Sequence, residues 1–229
     1  MDAGDQQTGS IFSSLAYADA IGGAVIKVFN YLHLDAATYG NHEFDYAQEN
    51  TIKLRELANY PFITSNILDE KNQPFGNMPY QIFSLDSLKI GIMGLTLTEL
   101  PEKVKRENIT GLTILPYKEA IDNYIEEVDK QSDLIILLTH NGLEADSLLA
   151  TFLDNRIDLI IGGHSHTVIS EPFKVNGIYI ASTGSYLNYL GAINIEVQND
   201  RIFSYHSKLI PLIAPENLPP TPLNQFVKA

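Results

Sequence analysis

The chain has 229 residues, of which 45% are hydrophobic and 19% charged, a balance typical of a globular domain and not of wholesale disorder. Its 15 Lys and Arg residues against 28 Asp and Glu residues give a net charge of −13, which argues against a nucleic acid polymer as partner because few cations can neutralise phosphates. The sequence contains no cysteine, so disulfide scaffolds and thiolate metal sites are excluded and His, Asp, Glu and Asn remain as metal ligands.

Predicted helices and strands alternate over residues 1 to about 165. Apolar residues at helical spacing predict four helices, at 21–32, 54–58, 121–128 (a segment that Pro116 opens) and 148–153. Short continuous apolar runs predict strands covered on both faces, at 62–64, 90–95, 134–138 and 159–161. All apolar runs are only a few residues long, so we expect no transmembrane helix.

After Gly163 the pattern changes to strands joined by tight turns. Val175-Asn176-Gly177-Ile178 and Gln198-Asn199-Asp200-Arg201 predict two hairpins. Residues 211–222 contain five prolines, so residues 211–229 are expected to form a proline-rich linker or tail. The sequence therefore predicts an α/β protein with a β-rich end.

Polar clusters follow the predicted buried strands or stand in glycine-containing turns. Because ligand sites in α/β sheets gather outside the carboxyl ends of strands, we expect these clusters to converge. The residues of these clusters are Asp5, Asn41, His42, Glu43, Asp45, His140, Asn141, His164 and His166. The set expected to converge contains one carboxylate (Asp5), one amide oxygen (Asn41) and three imidazoles (His140, His164 and His166).

Mixed nitrogen and oxygen ligands without sulfur suit Zn, Mn, Fe or a similar divalent ion. Asp5, Asn41, His140, His164 and His166 supply such a set. A carboxylate can bridge two ions, and two ions about 3.5–4 Å apart can clamp the attacking and leaving oxygens of a displacement at phosphorus.

His42 stands three residues before Asp45. An imidazole oriented by a carboxylate is a good general acid for a leaving oxygen. Neighbouring Glu43 is expected to support the loop, whereas Asp2 is interpreted either as a supporting acceptor or as part of a frayed terminus. Tyr186 is interpreted as a core or surface aromatic side chain.

Four motifs together resemble the calcineurin-like metallophosphoesterases, and within them the periplasmic or surface 5′-nucleotidases. The motifs are Asp2-Ala3-Gly4-Asp5, Gly40-Asn41-His42-Glu43-Phe44-Asp45, Thr139-His140-Asn141-Gly142 and Gly162-Gly163-His164-Ser165-His166. The resemblance covers residues 1–210 and implies a four-layer α-β-β-α sandwich that forms the catalytic domain. It also implies a periplasmic or cell-surface location.

The resemblance further implies two divalent metal ions bridged by Asp5. Asn41, His140 and His164 would complete one metal site, and His166 would serve the other. His42 would contact the phosphate and protonate the leaving group, with Asp45 as its orienting partner, while a metal-bound hydroxide attacks phosphorus. Asp45 favours the nucleotidase subgroup.

The expected activity is metal-dependent hydrolysis of phosphate monoesters, with nucleoside 5′-monophosphates as the leading small-molecule substrates. A cyclic nucleotide or another phosphoester on the same site is an alternative. A second alternative, of a different class, is an inactive remnant that binds metal or phosphate or acts as an interaction domain. The sequence leaves the oligomeric state and the metal open.

Two features of the resembling family are expected to be missing. Its Asp-x-His motif, with two ligands for the second metal, would precede Met1, and its base-stacking C-terminal domain would follow the proline-rich segment. We therefore expect an internal piece of a longer protein, a late gene start or a truncated homologue, with an incomplete first domain, its first strand or strands missing, and no signal peptide in this chain. Such a chain would bind at most one metal tightly and hydrolyse esters weakly.

Overall fold

The structure, a computed structural model, describes residues 1–213. The helices are α1 (Gly23–Tyr31), α2 (Ala47–Leu57), α3 (Leu100–Lys103), α4 (Tyr117–Asp122), α5 (Ile125–Asp129) and α6 (Leu143–Phe152), with short 3₁₀ helices at Phe12–Ser14, His42–Phe44 and Arg106–Ile109. The strands are β1 (Ala16–Tyr17), β2 (Ala20–Ile21), β3 (Ile67–Leu68), β4 (Tyr80–Leu85), β5 (Leu88–Thr96), β6 (Thr113–Ile114), β7 (Leu134–His140), β8 (Leu159–Gly162), β9 (Phe173–Val175), β10 (Ile178–Ala181), β11 (Tyr189–Val197) and β12 (Ile202–Pro211).

A six-stranded sheet with the order β4-β5-β7-β8-β10-β9 forms the centre of the molecule. Strands β5, β7, β8 and β10 are parallel, and the edge strands β4 and β9 are antiparallel to their neighbours. All seven residues of β7 are buried, as its continuous apolar sequence predicts. The carboxyl ends of β5, β7 and β8 reach the same edge, where Thr96 pairs with His140 and Thr139 with Gly162.

One face of the central sheet is covered by α4, α5 and α6. Ile121, Val128 and Leu149 from these helices pack against sheet residues that include Met93 and Leu137. The single helix predicted through 121–128 is wrong in its continuity: two short helices, α4 and α5, stand there, separated by residues 123–124. The apolar spacing holds across the break because Ile121, Ile125 and Val128 all remain buried.

The opposite face packs against the hairpin β11–β12 and against extended segments beside it. Ile193 and Tyr205 of the hairpin belong to the same apolar cluster as Ile136 of the sheet. The extended segments pair only through isolated bridges, Asp2 with Ala37 and Ala37 with Phe62.

The strand predicted at 62–64 consists only of such bridges. The amide N–H of Phe62 donates to Oδ1 of Asn77 at 2.8 Å, so a side chain takes the place of a neighbouring strand. Ile63 makes a further bridge, to Met78. Apolar character alone does not distinguish this segment from a regular strand.

Helices α1 and α2 lie over a third cluster that contains Tyr39, Phe44 and Phe62. The rings of Tyr39 and Phe62 stack with centroids 4.9 Å apart. The order of layers is thus helices, central sheet, bridged segments with the hairpin, and helices, which confirms the predicted α/β class. Both predicted hairpins are also present, as β9–β10 and β11–β12.

The predicted proline-rich tail lies almost wholly outside the described residues. Pro211 is the last residue of β12, and residues 214–229 are not described. Within residues 1–213, no helix combines the length and the apolarity needed to cross a membrane.

Candidate metal and phosphoester site

Three of the predicted ligand residues meet beyond the carboxyl ends of the central strands. His140 is the last residue of β7, His164 follows β8, and Asp5 lies in the loop after the Asp2–Ala37 bridge. One potential ligand atom from each of Asp5, His140 and His164 lies within 4.8 Å of the other two. The predicted convergence at this sheet edge is therefore present in the structure.

Close backbone approaches hold this cluster together. A Cβ atom on Gly40 would lie 2.2 Å from Oδ1 of Asp5, and one on Gly163 would lie 2.9 Å from the carbonyl oxygen of Ala3 and 3.0 Å from Nδ1 of His140. Separations below 3 Å leave no room for a side chain. Gly40 and Gly163 are thus required by space rather than by turn geometry.

The His140 ring has a defined orientation. Its Nδ1 lies 2.6 Å from the carbonyl oxygen of Ala3, so this nitrogen carries a proton and Nε2 is directed at the cluster. Nε2 lies 2.9 Å from Oδ2 of Asp5 but without hydrogen-bonding geometry, as for two ligands aimed at a shared point. Burial disfavours the charged forms of Asp5 and His140, but the attraction between the carboxylate and the imidazolium outweighs it. The pKa of Asp5 is therefore lowered and that of His140 is raised.

Asn41 and His164 are the other two residues predicted for the same metal site as Asp5 and His140. Asn41 is only 7% exposed, and its Oδ1 has no hydrogen-bond partner among the described residues. The His164 ring lies 5.1 Å from the His140 ring between centroids, and burial together with the charge of His140 lowers its pKa. A buried amide oxygen without a partner and a neutral imidazole are both suited to a divalent cation, so these side chains fit the metal that the motifs imply.

His166 lies apart from the three clustered ligands. Its ring packs edge-on against Tyr186, with centroids 5.7 Å apart. Tyr186 is 70% exposed, so it is a surface aromatic residue, one of the two interpretations of the sequence. Asp5, His164 and His166 all have positive φ, at 60°, 74° and 55°. Side chains disfavour this region, so surrounding contacts must hold these residues there.

Glu43 organises the loops without entering the ligand cluster. Its buried carboxylate accepts backbone N–H bonds from Asp5 (2.9 Å), Gln6 (2.6 Å), Gln7 (3.3 Å) and Gly40 (2.6 Å). Burial and the charge of Asp5 raise its pKa to about 7, against the opposing effect of these N–H groups. The prediction that Glu43 supports the loop is confirmed.

His42 and Asp45 form a pair next to Asp5. Nδ1 of His42 lies 2.7 Å from Oδ2 of Asp45, and the backbone N–H of His42 donates to Oδ1 of Asp5 at 2.9 Å. Burial lowers the pKa of His42, but the Asp45 contact and the nearby carboxylate charges outweigh it and raise the pKa above its ordinary value. The imidazole can therefore carry the second proton that a general acid donates.

A cavity of about 360 Å³ opens over the cluster. Its lining includes His42, His140, His164 and His166 together with aromatic side chains such as Phe12 and Tyr186. The cavity thus combines imidazoles, which can contact an anion, with aromatic side chains, which can contact an attached organic group.

The structure also shows supporting residues that sequence reasoning missed. Asp146, in the first turn of α6, is buried and accepts hydrogen bonds from Thr139 Oγ1 (2.9 Å) and Asn141 Nδ2 (3.1 Å). Burial raises its pKa to about 7. The only feature of the sequence that could have indicated this role is the position of Asp146 in the first helical turn after the Thr-His-Asn-Gly motif.

Asp2 and Thr8 hold the loop around Asp5. The Asp2 carboxylate accepts bonds from the Gly4 backbone N–H (3.1 Å) and from Gln6 Nε2 (3.0 Å), so it is a supporting acceptor and not a frayed terminus. Thr8 Oγ1 lies 2.9 Å from Oδ2 of Asp45.

The model of the calcineurin-like phosphoesterase family matches residues 2–168. The chain belongs to this family. An uncharacterized metallophosphoesterase of Bacillus subtilis (strain 168), YunD, is 34% identical over 181 residues, covering 78% of this chain and 38% of that protein. A 5′-nucleotidase of Vibrio cholerae serotype O1 is 30% identical over 242 aligned residues, covering 93% of this chain and 43% of its own length.

Solved structures show the same fold. The sulfate thiohydrolase SoxB of Thermus thermophilus, solved with glycerol, superposes with a TM-score of 0.85 at 23% identity and covers 99% of this chain and 40% of its own. The chain spans about two fifths of the length of the two curated relatives, YunD and the Vibrio cholerae 5′-nucleotidase. Membership of the family implies binding of divalent metal, for which Asp5, His140 and His164 form a ligand group.

Proposed function

We propose that this chain is the catalytic portion of a phosphoric ester hydrolase that acts on nucleoside 5′-monophosphates. The observation that carries the proposal is the pairing of His42 with Asp45 directly beside the ligand group of Asp5 and His140. Relatives named 5′-nucleotidase support the choice of nucleotides as the substrate class. Residues 1–210 are proposed as the catalytic domain.

Asp5, Asn41, His140 and His164 would hold one divalent ion, and His166 would contribute to a second with Asp5. Their oxygen and neutral imidazole donors, and the buried Oδ1 of Asn41 without a partner among residues 1–213, support this assignment. Bound divalent ions supply positive charge to phosphate oxygens and acidify a water molecule. They also let a chain of net charge −13 accept an anionic substrate.

His42 protonates the leaving oxygen in this proposal. Nδ1 of His42 would donate a hydrogen bond to Oδ2 of Asp45, 2.7 Å away, and the Nε2–H group would then be available for proton transfer. Aromatic side chains that line the cavity, such as Phe12 and Tyr186, would contact the group attached to the phosphate. Small-molecule phosphoesters are the proposed partners, and the periplasmic or cell-surface location implied by the resemblance stays a prediction.

The decisive experiment compares His42→Ala with His206→Ala, which changes an exposed histidine on β12. Both purified variants are loaded with Mn²⁺ or Zn²⁺, their metal content is measured, and phosphate release is followed from AMP, a cyclic nucleotide and a sugar phosphate. We expect His42→Ala to lower turnover of AMP by about 10²–10⁴-fold, the usual size of a general-acid contribution, with little change in metal content.

Retained AMP turnover in His42→Ala would remove this residue from the mechanism. Turnover confined to the cyclic nucleotide or the sugar phosphate would replace the proposed substrate class. A chain that binds metal but releases no phosphate from any ester would establish the non-catalytic alternative.

A further inference from the structure

We propose that Thr8 is a positioning residue for the general acid: its hydroxyl donates a hydrogen bond to Asp45 and thereby fixes the carboxylate that orients His42. This inference rests on the proposed function of His42, because the orientation has a consequence for turnover only if His42 donates a proton. The contact itself belongs to the fold and can be tested without turnover.

The first observation is a shared acceptor atom. Oδ2 of Asp45 lies 2.9 Å from Thr8 Oγ1 and 2.7 Å from His42 Nδ1. A carboxylate oxygen can accept two hydrogen bonds, and two donors of fixed position define both the distance and the rotation of the carboxylate. Without Thr8, the contact with His42 alone would leave Asp45, which is 30% exposed, free to rotate toward solvent.

The second observation is the competition for the single Thr8 proton. Thr8 Oγ1 also lies 2.7 Å from the carbonyl oxygen of Gln7, but a hydroxyl donates only one proton. The carboxylate is the stronger acceptor because it is charged, and a charge-assisted bond is about twice as strong as a neutral one. We therefore assign the proton to the bond with Asp45.

The third observation is the backbone of Thr8. Its φ is 56°, in the left-handed region, which is a genuine outlier for a β-branched residue. The hydroxyl oxygen of the buried Ser13 lies closer to the carbonyl oxygen of Thr8 than to that of Ser10, which is 3.0 Å away, so we assign its single proton to Thr8; this bond holds the backbone in this conformation. Unfavourable backbone geometry that persists beside reactive groups is a common feature of functional sites, and here it directs a hydroxyl at Asp45.

Thr8→Val isolates the hydroxyl. Valine has nearly the same shape and is also β-branched, so the backbone strain at φ 56° stays the same while the donor disappears. Thr8→Ser keeps the donor and should restore wild-type behaviour. Thr151→Val makes the same chemical change at an exposed position on α6 and serves as the matched control.

The first measurement is by NMR on the full chain with ¹⁵N-labelled histidine, since it needs neither metal nor substrate. The imidazole ¹⁵N shifts of His42, assigned from the His42→Ala spectrum, report the hydrogen bond at Nδ1. We expect Thr8→Val to move them toward the shifts in Asp45→Asn, while Thr8→Ser and Thr151→Val leave them unchanged. Wild-type His42 shifts in Thr8→Val, with a clear change in Asp45→Asn, would overturn the proposal, because the hydroxyl would then donate to Gln7.

The second measurement uses leaving groups of different quality. A nucleoside 5′-monophosphate has a poor leaving group that needs protonation, whereas 4-nitrophenyl phosphate has a good one that does not. We expect Thr8→Val to lower kcat for AMP by about tenfold to a hundredfold, the range for a lost hydrogen bond to a charged group, with KM unchanged. For 4-nitrophenyl phosphate we expect a change of less than about twofold.

The two measurements separate the failure of this inference from that of the proposed function. An equal loss on both esters, not restored by Thr8→Ser, would indicate a merely structural role and overturn the inference while hydrolysis stands. A chain that hydrolyses neither ester would refute the proposed function, and the NMR comparison would still decide whether Thr8 holds Asp45.

Discussion

Replacing Glu43 by Gln tests whether one buried carboxylate holds the two loops of the metal site together. Each carboxylate oxygen accepts two backbone N–H groups: Oε2 those of Asp5 and Gly40, and Oε1 those of Gln6 and Gln7. A glutamine amide offers one oxygen, and its nitrogen would have to face two of these donors. Because the bond to Gln7 is the longest, at 3.3 Å, we expect the amide nitrogen to turn toward Gln6 and Gln7.

The expected cost follows from the two backbone donors that lose their acceptor. Leaving a buried donor unsatisfied costs about 1–3 kcal/mol, so Glu43→Gln should lower the free energy of unfolding by roughly 3 kcal/mol. That is a large part of the about 5–15 kcal/mol by which a typical protein is stable. The affinity for divalent metal should fall by about tenfold or more, since partners that orient ligands have effects of that size.

Urea denaturation followed by circular dichroism measures the stability, and titration calorimetry with Mn²⁺ measures the affinity. Both should be run at pH 8, because the pKa of Glu43 is about 7 and the wild-type carboxylate is then largely ionised. Glu56→Gln, at an exposed position of α2, is the matched control. A loss below about 0.5 kcal/mol in Glu43→Gln, the range of ordinary surface substitutions, would refute the reasoning.

Three further predictions concern the ligands, the core and pH. His164→Ala should weaken Mn²⁺ binding by at least about tenfold in calorimetry, and removal of metal by a chelator should lower the wild-type melting temperature, whereas His206→Ala changes neither. Gly162→Ala should lower the free energy of unfolding by about 1–3 kcal/mol in urea denaturation, because its Cβ would lie 2.3 Å from Oδ2 of Asp146. Burial raises the pKa of Asp158 to about 6. The stability that depends on its protonated form is therefore fully present below the unfolded pKa near 3.8 and is lost as pH rises through about 6. Asp158→Asn should therefore gain in melting temperature relative to wild type between pH 4 and pH 7, and a constant difference would contradict this.

The layered fold was predictable because its signals are local and strong. Continuous apolar runs identified β5, β7 and β8, and tight-turn residues identified both hairpins. The interruption between α4 and α5 was missed because apolar spacing continues across it. The segment at 62–64 was predicted as a regular strand but pairs only through isolated bridges, because an apolar run indicates a buried extended segment without fixing its partners.

The ligand cluster was predictable from sheet geometry, whereas its support was not. A strand order that places His140 and Gly162 at one edge brings their following loops together. By contrast, Glu43 accepts bonds from Asp5, Gln6 and Gln7, and Thr8 contacts Asp45, across 36 to 38 positions in the sequence. No periodic pattern in the sequence predicts which backbone N–H group a given carboxylate will accept.

The backbone conformation of the site explains why the ligand residues could be predicted from motifs while the residues that support them could not. Asp5, Thr8, His164 and His166 all have positive φ, a conformation that costs non-glycine residues about 1–3 kcal/mol each. Local sequence preference acts against such a conformation, so only tertiary contacts can impose it. Glu43 holds the N–H of Asp5, and Ser13 holds the carbonyl of Thr8. The motifs thus supply the reactive groups, but their positions depend on a buried carboxylate and two hydroxyls, and the substitutions at Glu43 and Thr8 therefore test the site more directly than further changes to the ligands.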